Sequence, residues 1–510
     1  MVAKILSSTL IGMKALIINV EVDLSRGLPS FNIVGLPDKA VRESRDRVRA
    51  AIKNSGYDFP SQKITINMAP ANIKKIGPHY DLAIATGILA EKGIIKNKLL
   101  DSFLIAGELS LNGCVRKVKG ILPMSSKLKE KKLQGIILPI KNQNEANLVE
   151  DIKIIPVKSF SDVVKFLNYG QLNKNNILDN SNSSKIVYDI DFSEIKGQKE
   201  AKRAFEIAAS GLHNILMIGP PGSGKTMLAR RIRTILPPLT KEEQLELTKV
   251  YSIMGIVNNK KLIKERPFRA PHQNISPVGL IGGGKIPEPG EVSLAHNGTL
   301  FLDELPEFKR NVLESLRQPL EKGSVTIIRS QMRATFPAKI MLIAAMNPCP
   351  CGYYGDNRHE CTCSLNKIKK YRSKISGPLL DRIDIHLEVP GLSVNEIMED
   401  ANGESSKQIR KRVINAQKIQ FDRYNNEIFN YNSQLKGKKI KKYCPLNNKC
   451  KYFLKDAIER LYLSARAYDR ILKIARTIAD LAGNENIKKS HVAEAAQYRS
   501  LNRRIKSAQY

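Results

Sequence analysis

Short apolar runs alternate with longer segments of helical spacing along the first 170 residues. The predicted strands are 15–22, 64–68, 103–107 and 135–138, and the predicted helices are 39–55, 81–91 and 125–132. Residues 1–20 faintly resemble a signal peptide, but Lys14 interrupts their apolar run, which favours a strand at 15–20. This alternation is typical of an α/β or α+β domain.

The remainder of the chain divides into three parts by the same criterion. Residues 171–187 are rich in Asn and Ser and predict a linker. Within residues 393–510, helices are predicted at 406–424, 453–461, 463–482 and 487–499. Between the linker and this helical region, apolar strand-like runs at 214–218, 298–302 and 339–346 predict a parallel sheet. Residues 311–321 predict a helix, and a polar centre within 323–336 predicts a hairpin. The pattern therefore predicts an α/β chain with an N-terminal domain (1–170), a core (188–392) and a C-terminal helical lid (393–510).

A glycine-rich stretch follows the first strand of the core. It reads Gly219, Pro220, Pro221, Gly222, Ser223, Gly224, Lys225, Thr226, which matches G-x-x-x-x-G-K-[ST] between a strand and a helix. Glycines at these places let backbone N–H groups close around phosphate oxygens, and the helix N-terminus adds partial positive charge. We expect Lys225 to reach the β- and γ-phosphates of ATP, and Thr226 to ligate Mg²⁺.

Two acidic residues end the next core strand, at Asp303 and Glu304. A buried strand that ends in two acids, at this distance after a phosphate-binding loop, is typical of the Walker B arrangement. Asp303 is expected to hold Mg²⁺ through its water shell. Glu304 is expected to orient and deprotonate the attacking water.

Composition adds information on partners and compartment. The chain of 510 residues is 42% hydrophobic and carries a formal charge of +34, which favours a polyanion such as nucleic acid or an anionic membrane surface; a generally solvated lysine-rich surface is the alternative. No apolar run approaches the ~20 residues of a membrane span. Seven cysteines, an odd number, fit a reducing cytosol better than a disulfide framework, so we expect a cytoplasmic protein without a membrane partner.

Four of the cysteines form two pairs, Cys349 with Cys351 and Cys361 with Cys363. Four thiolates complete a tetrahedral Zn²⁺ site, so the loop 349–363 is a candidate zinc loop. The spacing is C-x-C, whereas zinc knuckles usually have C-x₂-C. Reduced thiols in a cytosolic loop are the alternative interpretation.

Three stretches of the N-terminal domain, 27–38, 64–72 and 80–85, together with the core motifs, resemble the ComM/YifB family of magnesium-chelatase-like AAA+ ATPases. The resemblance covers nearly the whole chain and implies an N-terminal domain similar in fold to the Lon peptidase domain. No serine lies at 77–81, where the peptidase nucleophile is expected, and Leu122 takes the place of the expected lysine, although Lys119 is close. We therefore expect no peptidase activity.

The same resemblance implies roles for six further residues. Asn347 would be sensor 1, Arg382 the arginine finger and Arg466 sensor 2. Two loops would line a ring pore and contact DNA phosphates: a helix-2 insert with Lys285, and a pre-sensor-1 hairpin with Arg329 and Arg333. The alternatives are an internal ion pair of Arg382 with Asp381 or Asp384, a strand-end turn former at Asn347 and an incidental lysine on a structural loop at Lys285. For Arg329, Arg333 and Arg466 the alternative is a solvated side chain.

By this resemblance, the protein is expected to be a hexameric, ring-forming ATPase that uses ATP and Mg²⁺ to move along single-stranded or branched DNA. Zn²⁺ is a further candidate cofactor. The work expected of it is helicase action or branch migration in recombination or natural transformation. Two alternatives remain open: a protein-remodelling or chelatase-type motor subunit, and a DNA-binding module with weak ATPase activity.

Overall fold

The computed structural model describes residues 2–499 except 97, 171–187, 258–261, 330–331, 357, 393–397, 399–402, 426, 428 and 462–463. The predicted linker at 171–187 lies outside the described residues. The described part is a mixed α/β structure built on two large sheets.

The first sheet belongs to the N-terminal domain and has the strand order β3-β4-β2-β1-β5-β8-β9. The strands of this domain are β1 (Ala3–Ile11), β2 (Lys14–Ser25), β3 (Ser30–Val34), β4 (Lys63–Ala69), β5 (Phe103–Ile105), β6 (Glu108–Leu109), β7 (Val115–Arg116), β8 (Gly135–Pro139) and β9 (Lys153–Val157). Its helices are α1 (Lys39–Arg42), α2 (Ser44–Asn54), α3 (Asp81–Glu91), α4 (Ile121–Lys131), α5 (Gln143–Ala146) and α6 (Phe160–Tyr169).

The stretch that faintly resembles a signal peptide forms β1 in the middle of this sheet. β1 pairs antiparallel with β2 from Ala3 opposite Val22 to Ile11 opposite Lys14, and parallel with β5 on its other side. Lys14 thus begins a strand of the hairpin, and the apolar residues before it have a place in the domain core. A β-hairpin explains the pattern that a signal peptide would otherwise explain.

Other groups occupy the two segments, 77–81 and 118–123, where the resemblance to a peptidase would place a nucleophile and a base. His79 is buried, with Nε2 2.7 Å from the carbonyl oxygen of Ser8, and burial lowers its pKa to about 4. Leu122 is completely buried in α4. A neutral buried imidazole and an aliphatic side chain occupy these positions, so the absence of peptidase activity stays our prediction for this domain.

The second sheet belongs to the core, and its five strands, in the order β11-β14-β17-β10-β18, are all parallel. The core strands are β10 (Ile215–Ile218), β11 (Phe268–Arg269), β12 (Gly282–Gly283), β13 (Glu288–Pro289), β14 (Thr299–Leu302), β15 (Ser324–Arg329), β16 (Met332–Pro337), β17 (Met341–Met346) and β18 (Ile385–Glu388). Parallel strands buried on both faces have nearly continuous apolar sequences, as β10, β14 and β17 do.

Helices cover both faces of the core sheet. They are α7 (Lys199–Gly211), α8 (Lys225–Ile235), α9 (Lys241–Met254), α10 (Pro277–Ile281), α11 (Glu291–Leu294), α12 (Arg310–Ser315), α13 (Arg317–Lys322), α14 (Leu365–Arg372) and α15 (Gly377–Leu380). The single helix predicted at 311–321 is divided into α12 and α13 at Leu316. The predicted hairpin is confirmed as β15 and β16, with Ile328 opposite Arg333.

The lid packs onto one face of the core sheet. Its helices are α16 (Ser406–Arg423), α17 (Lys438–Tyr443), α18 (Asn448–Leu461), α19 (Ala465–Leu481) and α20 (Lys489–Gln497). Ile409 in α16 and Ile471 in α19 belong to the same buried apolar cluster as Phe205 of α7 and Ile232 of α8. The core and the lid therefore share one hydrophobic interior.

A buried polar group ties the core to the lid beside that interior. Asp384, just before β18, lies 3.2 Å from Nδ1 of His213 and accepts a hydrogen bond from Arg470 of α19 at 2.5 Å. Burial alone would raise the pKa of Asp384, but Arg470 and His213 outweigh it and hold this pKa well below its usual range. The carboxylate is therefore charged and paired.

The N-terminal domain also contacts the core directly. The backbone N–H of Gly120, at the start of α4, donates to the carbonyl of Ser252 in α9 at 3.0 Å, and the Ser252 hydroxyl donates to Glu145. The β1–β2 turn reaches the base of the β15–β16 hairpin, where a Cβ on Gly12 would lie 3.2 Å from the backbone of Thr335. Met13 packs against the apolar cluster on that side of the core sheet.

Among the described helices, none combines the length and the apolar character needed to cross a membrane.

We predict that Asp384→Ala lowers the free energy of unfolding of the full chain by about 3–5 kcal/mol, because Arg470 is left as a partly buried charge without its acceptor. Urea unfolding followed by circular dichroism measures this. Asp189→Ala is the control, since Asp189 has a side chain 87% exposed and lies 3.7 Å from Arg233; its loss should cost less than about 1 kcal/mol. Equal destabilisation by the two variants would contradict the prediction.

Candidate nucleotide site and its surroundings

The phosphate-binding loop lies at the carboxyl end of β10, between β17 and β18. The N–H of Gly219 donates to the carbonyl of Met346 at 3.3 Å. A Cβ at position 219 would lie 2.1 Å from the carbonyl oxygen of Val389, so only glycine fits this close approach. The loop ends at Gly224, with φ of +85°, and α8 begins at Lys225.

Lys225 is held inside this loop. Its Nζ donates to the carbonyls of Gly219 and Pro220, both at 2.8 Å, and lies 3.3 Å from Oδ1 of Asn347. The side chain is 8% exposed, and burial lowers its pKa, an effect that Asp303 opposes. An ammonium among carbonyl groups, next to backbone N–H groups, suits a polyphosphate, whose oxygens would replace these acceptors.

Hard oxygen ligands meet beside Lys225, at the carboxyl end of β14. The hydroxyl of Thr226 donates to Oδ2 of Asp303 at 2.7 Å, and the backbone N–H of Glu304 lies 3.0 Å from Oδ1 of the same carboxylate. One hydroxyl and one carboxylate fit Mg²⁺, which keeps most of its waters and prefers oxygen. Glu304 is exposed and has a φ of +51°, an uncommon backbone conformation for a residue other than glycine.

The structure thus brings together the sequence-predicted residues of the phosphate and magnesium site. Asn347 directly follows β17, whose last residue, Met346, is opposite Ile218 of β10. Because the carboxyl ends of parallel strands meet at one edge of the sheet, three separate strand ends deliver Lys225, Asp303 and Asn347 to the same place. Their catalytic roles remain predictions.

Arg382 and Arg466 lie at the opposite edge of the sheet. The side-chain amide of Asn214, immediately before β10, donates to the carbonyl of Arg382 at 3.0 Å. Arg466 lies 3.2 Å from Asp381 and its side chain is 69% exposed. Strand β10 has four residues, so about 13 Å of sheet separates these arginines from the phosphate loop of the same chain.

Arg382 is paired within the subunit, although with neither of the residues considered from the sequence. Its guanidinium donates to Glu321, which follows Leu320 near the end of α13, and to the carbonyl of Pro378. The Arg382 side chain is only 10% exposed, while that of Glu321 is 55% exposed. Arg382 therefore lies just beneath the surface, covered by an accessible carboxylate.

The pairing with Glu321 was not predictable from the sequence, because 61 residues separate the two. The neighbouring acids are engaged elsewhere: Asp381 with Arg466, and Asp384 with Arg470 and His213. Sequence reasoning also missed α9, although its signal was present. Thr240 and Glu243 form the capping box that starts this helix.

The three candidate DNA contacts lie on two neighbouring hairpins. Lys285 is exposed in the turn between β12 and β13, and Arg329 and Arg333 are exposed at the end of the β15–β16 hairpin. A Cβ on Gly282 of β12 would lie 3.0 Å from Cδ1 of Ile327 in β15, so the two hairpins pack together near their bases. The described part of the chain thus presents three basic side chains on adjacent hairpins.

The N-terminal domain reaches both hairpins. Gly12 and Met13 contact the β15–β16 hairpin and the cluster beneath it. Lys119 forms a longer ion pair, 3.9 Å, with Glu288 of β13. Lys119 is the lysine that lies near the expected peptidase base in the sequence, and here it faces the core.

The four cysteines of the loop 349–363 converge beside the phosphate loop. Their four Sγ atoms all lie within 4.8 Å of one another, and Cys349 is 3.2 Å from Cys351 and 3.7 Å from Cys361. The backbone N–H of Tyr354 points to Sγ of Cys349 at 3.3 Å. Cys444 and Cys450 are separate buried thiols in the lid.

Three family models match the chain. The model described as "Magnesium chelatase, subunit ChlI" matches residues 191–397, "Subunit ChlI of Mg-chelatase" matches 20–142, and "Magnesium chelatase, subunit ChlI C-terminal" matches 403–499. These three ranges include parts of the N-terminal domain, the core and the lid.

Full-length relatives are also similar. The chain is 44% identical over 504 residues to competence protein ComM of Haemophilus influenzae, which covers 98% of this chain and 97% of that protein. It is 42% identical to the uncharacterized protein YifB of Salmonella typhimurium and 41% identical to YifB of Escherichia coli. Each YifB match covers 97% of this chain and 96% of the relative.

We predict that Glu304→Gln binds ATP but lowers its hydrolysis by about 10²-fold or more, because an amide cannot take a proton from the attacking water. A fluorescent ATP analogue measures binding, and phosphate release measures hydrolysis. Glu307→Gln is the control, because Glu307 lies in the same segment and pairs with Lys374 at 3.2 Å. Hydrolysis at the wild-type rate by Glu304→Gln would show that Glu304 is not the general base.

Proposed function

Because the chain belongs to the ComM/YifB family of magnesium-chelatase-like AAA+ proteins, we propose that it is an ATP-driven, ring-forming DNA motor. The work we assign to it is strand separation or branch migration in recombination or in the uptake of transforming DNA. The observation that carries this proposal is the placement of the phosphate site at one edge of the core sheet and of two arginines at the other.

The phosphate site supports hydrolysis of ATP with Mg²⁺. We propose that Lys225 and the N–H groups of the loop bind the phosphates, and that Thr226 and Asp303 hold Mg²⁺, which neutralises the phosphate charge. Glu304 takes a proton from the attacking water, and Asn347, within hydrogen-bond distance of Lys225, orients that water. The family accounts for ATP and Mg²⁺, and these residue roles are our proposal.

Among the described residues, neither of the two arginines expected to act on the γ-phosphate lies beside the phosphate loop of its own chain. Arg382 and Arg466 lie across the sheet from the phosphate loop of their own chain. Since they cannot reach that loop, we propose that both act on the nucleotide of a neighbouring subunit, in a closed ring of six. Arg382 must first leave Glu321, and the exposed carboxylate of Glu321 makes this pair accessible to an incoming subunit.

The two hairpins provide the grip on DNA in this proposal. Lys285, Arg329 and Arg333 add positive charge at exposed turns, and the chain as a whole carries a formal charge of +34. Contacts of lysine and arginine with phosphates give affinity without sequence readout, which suits a motor that must move along any sequence.

Zinc is the ion that we propose for the four thiols of the loop 349–363. A tetrahedral zinc site with Zn–S bonds of about 2.3 Å separates its sulfurs by about 3.8 Å. The Sγ atoms of Cys349, Cys351 and Cys361 are 3.2, 3.6 and 3.7 Å apart, and Cys363 belongs to the same cluster. The N–H of Tyr354 supplies the kind of hydrogen bond that supports a ligating sulfur.

We predict that the wild-type chain separates forked or Holliday-junction DNA with ATP, and that single-stranded DNA stimulates its hydrolysis. Arg329→Ala with Arg333→Ala should reduce the ratio of stimulated to unstimulated hydrolysis and the salt dependence of DNA binding, since two phosphate contacts are lost. Lys455→Ala with Arg460→Ala removes two exposed charges from the lid and is the matched control. The proposal of a DNA motor would be overturned if DNA did not stimulate ATP hydrolysis by the wild-type chain and the chain separated no strands.

A second prediction concerns the shared pocket. Lys225→Ala and Arg382→Ala should each lose hydrolysis, the latter by about 10³-fold. An equimolar mixture should regain activity, because about a quarter of its interfaces then pair an intact pocket with an intact Arg382. Mixing Lys225→Ala with Glu304→Gln is the control and should regain none, since both variants damage the same half of the interface. Equal activity of the two mixtures would contradict the prediction, because Arg382 would then act within its own subunit or take no part in hydrolysis.

A further inference from the structure

The loop 349–363, called the thiol loop below, forms part of the wall of the phosphate site. Gly352, between the two cysteine pairs, is buried and has a φ of +93°. A Cβ at this position would lie 2.6 Å from Cδ of Pro221, inside the phosphate-binding loop. The contact is therefore so close that only glycine fits, and a shift of the thiol loop must alter the support beneath Pro221.

The same loop also contacts the segment that leads from the core to the lid. Arg358 donates to the carbonyl of Gly391 at 3.1 Å and to that of Leu392. A Cβ on Gly391 would lie 3.8 Å from Cγ of Pro220. The thiol loop thus touches the phosphate loop directly at Pro221, and it touches the segment that packs on Pro220.

The loop is also anchored to α14. Arg372 of α14 donates to the carbonyl of Pro348 at 3.0 Å and lies 5.3 Å from the ring centre of Tyr354. Residues 353–363 form turns and irregular backbone, with no helix or strand assigned among those described. Such a segment needs cross-links to keep one conformation, and a bound ion with four ligands provides them.

We infer that zinc bound by Cys349, Cys351, Cys361 and Cys363 holds the thiol loop against Pro221, and that nucleotide affinity therefore depends on zinc occupancy. This inference rests on the zinc site proposed above, and it concerns the phosphate site before any DNA or neighbouring subunit is engaged. Loss of zinc releases the loop. The chain then populates conformations in which the phosphate loop lacks its support.

The first experiment measures zinc content by mass spectrometry and the affinity for a fluorescent ATP analogue on the full chain without DNA. We expect about one zinc per chain, and Cys361→Ser with Cys363→Ser should lose the zinc. If one chain in ten then keeps the loop in place, the apparent Kd rises about tenfold. Cys114→Ser is the control, because Cys114 is an exposed thiol of the N-terminal domain; it should keep both zinc and affinity.

The second experiment separates the support of the phosphate loop from zinc binding itself. Gly352→Ala and Gly355→Ala both place a Cβ at positive φ, +93° and +82°, in the same loop. Only at 352 would that Cβ meet Pro221; at 355 nothing lies within 4 Å. We expect both variants to keep zinc and Gly352→Ala alone to weaken nucleotide binding, by several-fold.

Three results would overturn the inference: a wild-type chain without zinc, a zinc-free chain with wild-type nucleotide affinity, or equal affinities in the Gly352→Ala and Gly355→Ala variants. If the double cysteine variant does not fold, the zinc of the wild-type chain is removed with a chelator and then restored. Affinity should fall and return with it. Since no DNA is present, failure here is distinguishable from failure of the DNA motor.

Discussion

The parallel direction of all five core strands is the constraint on which the rest of the structure depends. Because β10, β14 and β17 run the same way, the segments that follow them reach one edge of the sheet, and Lys225, Asp303 and Asn347 meet there. The same direction puts the residues that precede the strands at the other edge, where Asn214 holds the backbone of Arg382. A single chain therefore carries the phosphate site and Arg382 on opposite sides of one sheet, and in the ring proposed above a neighbouring chain would bring the two together.

Close packing around the phosphate loop limits what its neighbours can be. Gly219 lies against the carbonyl of Val389, and Pro221 lies against Gly352. These contacts connect the loop to the segment after β18 and to the cysteine-rich segment after β17. Lys225 is buried and donates to two carbonyls of its own loop. A bound phosphate would have to replace these carbonyls as acceptors, so the loop must keep its shape when Lys225 changes partners. The contacts of Gly219 with Val389 and of Pro221 with Gly352 support the loop on two sides.

Much of the site could be predicted from the sequence, because local motifs specify it. The phosphate loop and the acidic strand end each occupy a few consecutive residues, and β15 with β16 was visible as two apolar runs around a polar centre. Contacts between distant segments could not be predicted: Glu321 with Arg382, Pro221 with Gly352, and the N-terminal domain with the hairpins. The sequence also predicted one helix where Leu316 divides two, and it left two explanations for the apolar run that forms β1. Local pattern gives the type of element, and tertiary packing decides its extent and partners.

The contacts of Gly12, Met13 and Lys119 with the hairpin region have a mechanical consequence. A load applied to a hairpin tip by a polymer under tension is carried into two folded bodies, the core and the N-terminal domain. The stiffness of the tip then depends on both bodies, so the N-terminal domain contributes to how far the hairpins can bend. In this chain the N-terminal domain therefore braces the hairpin region from outside the core.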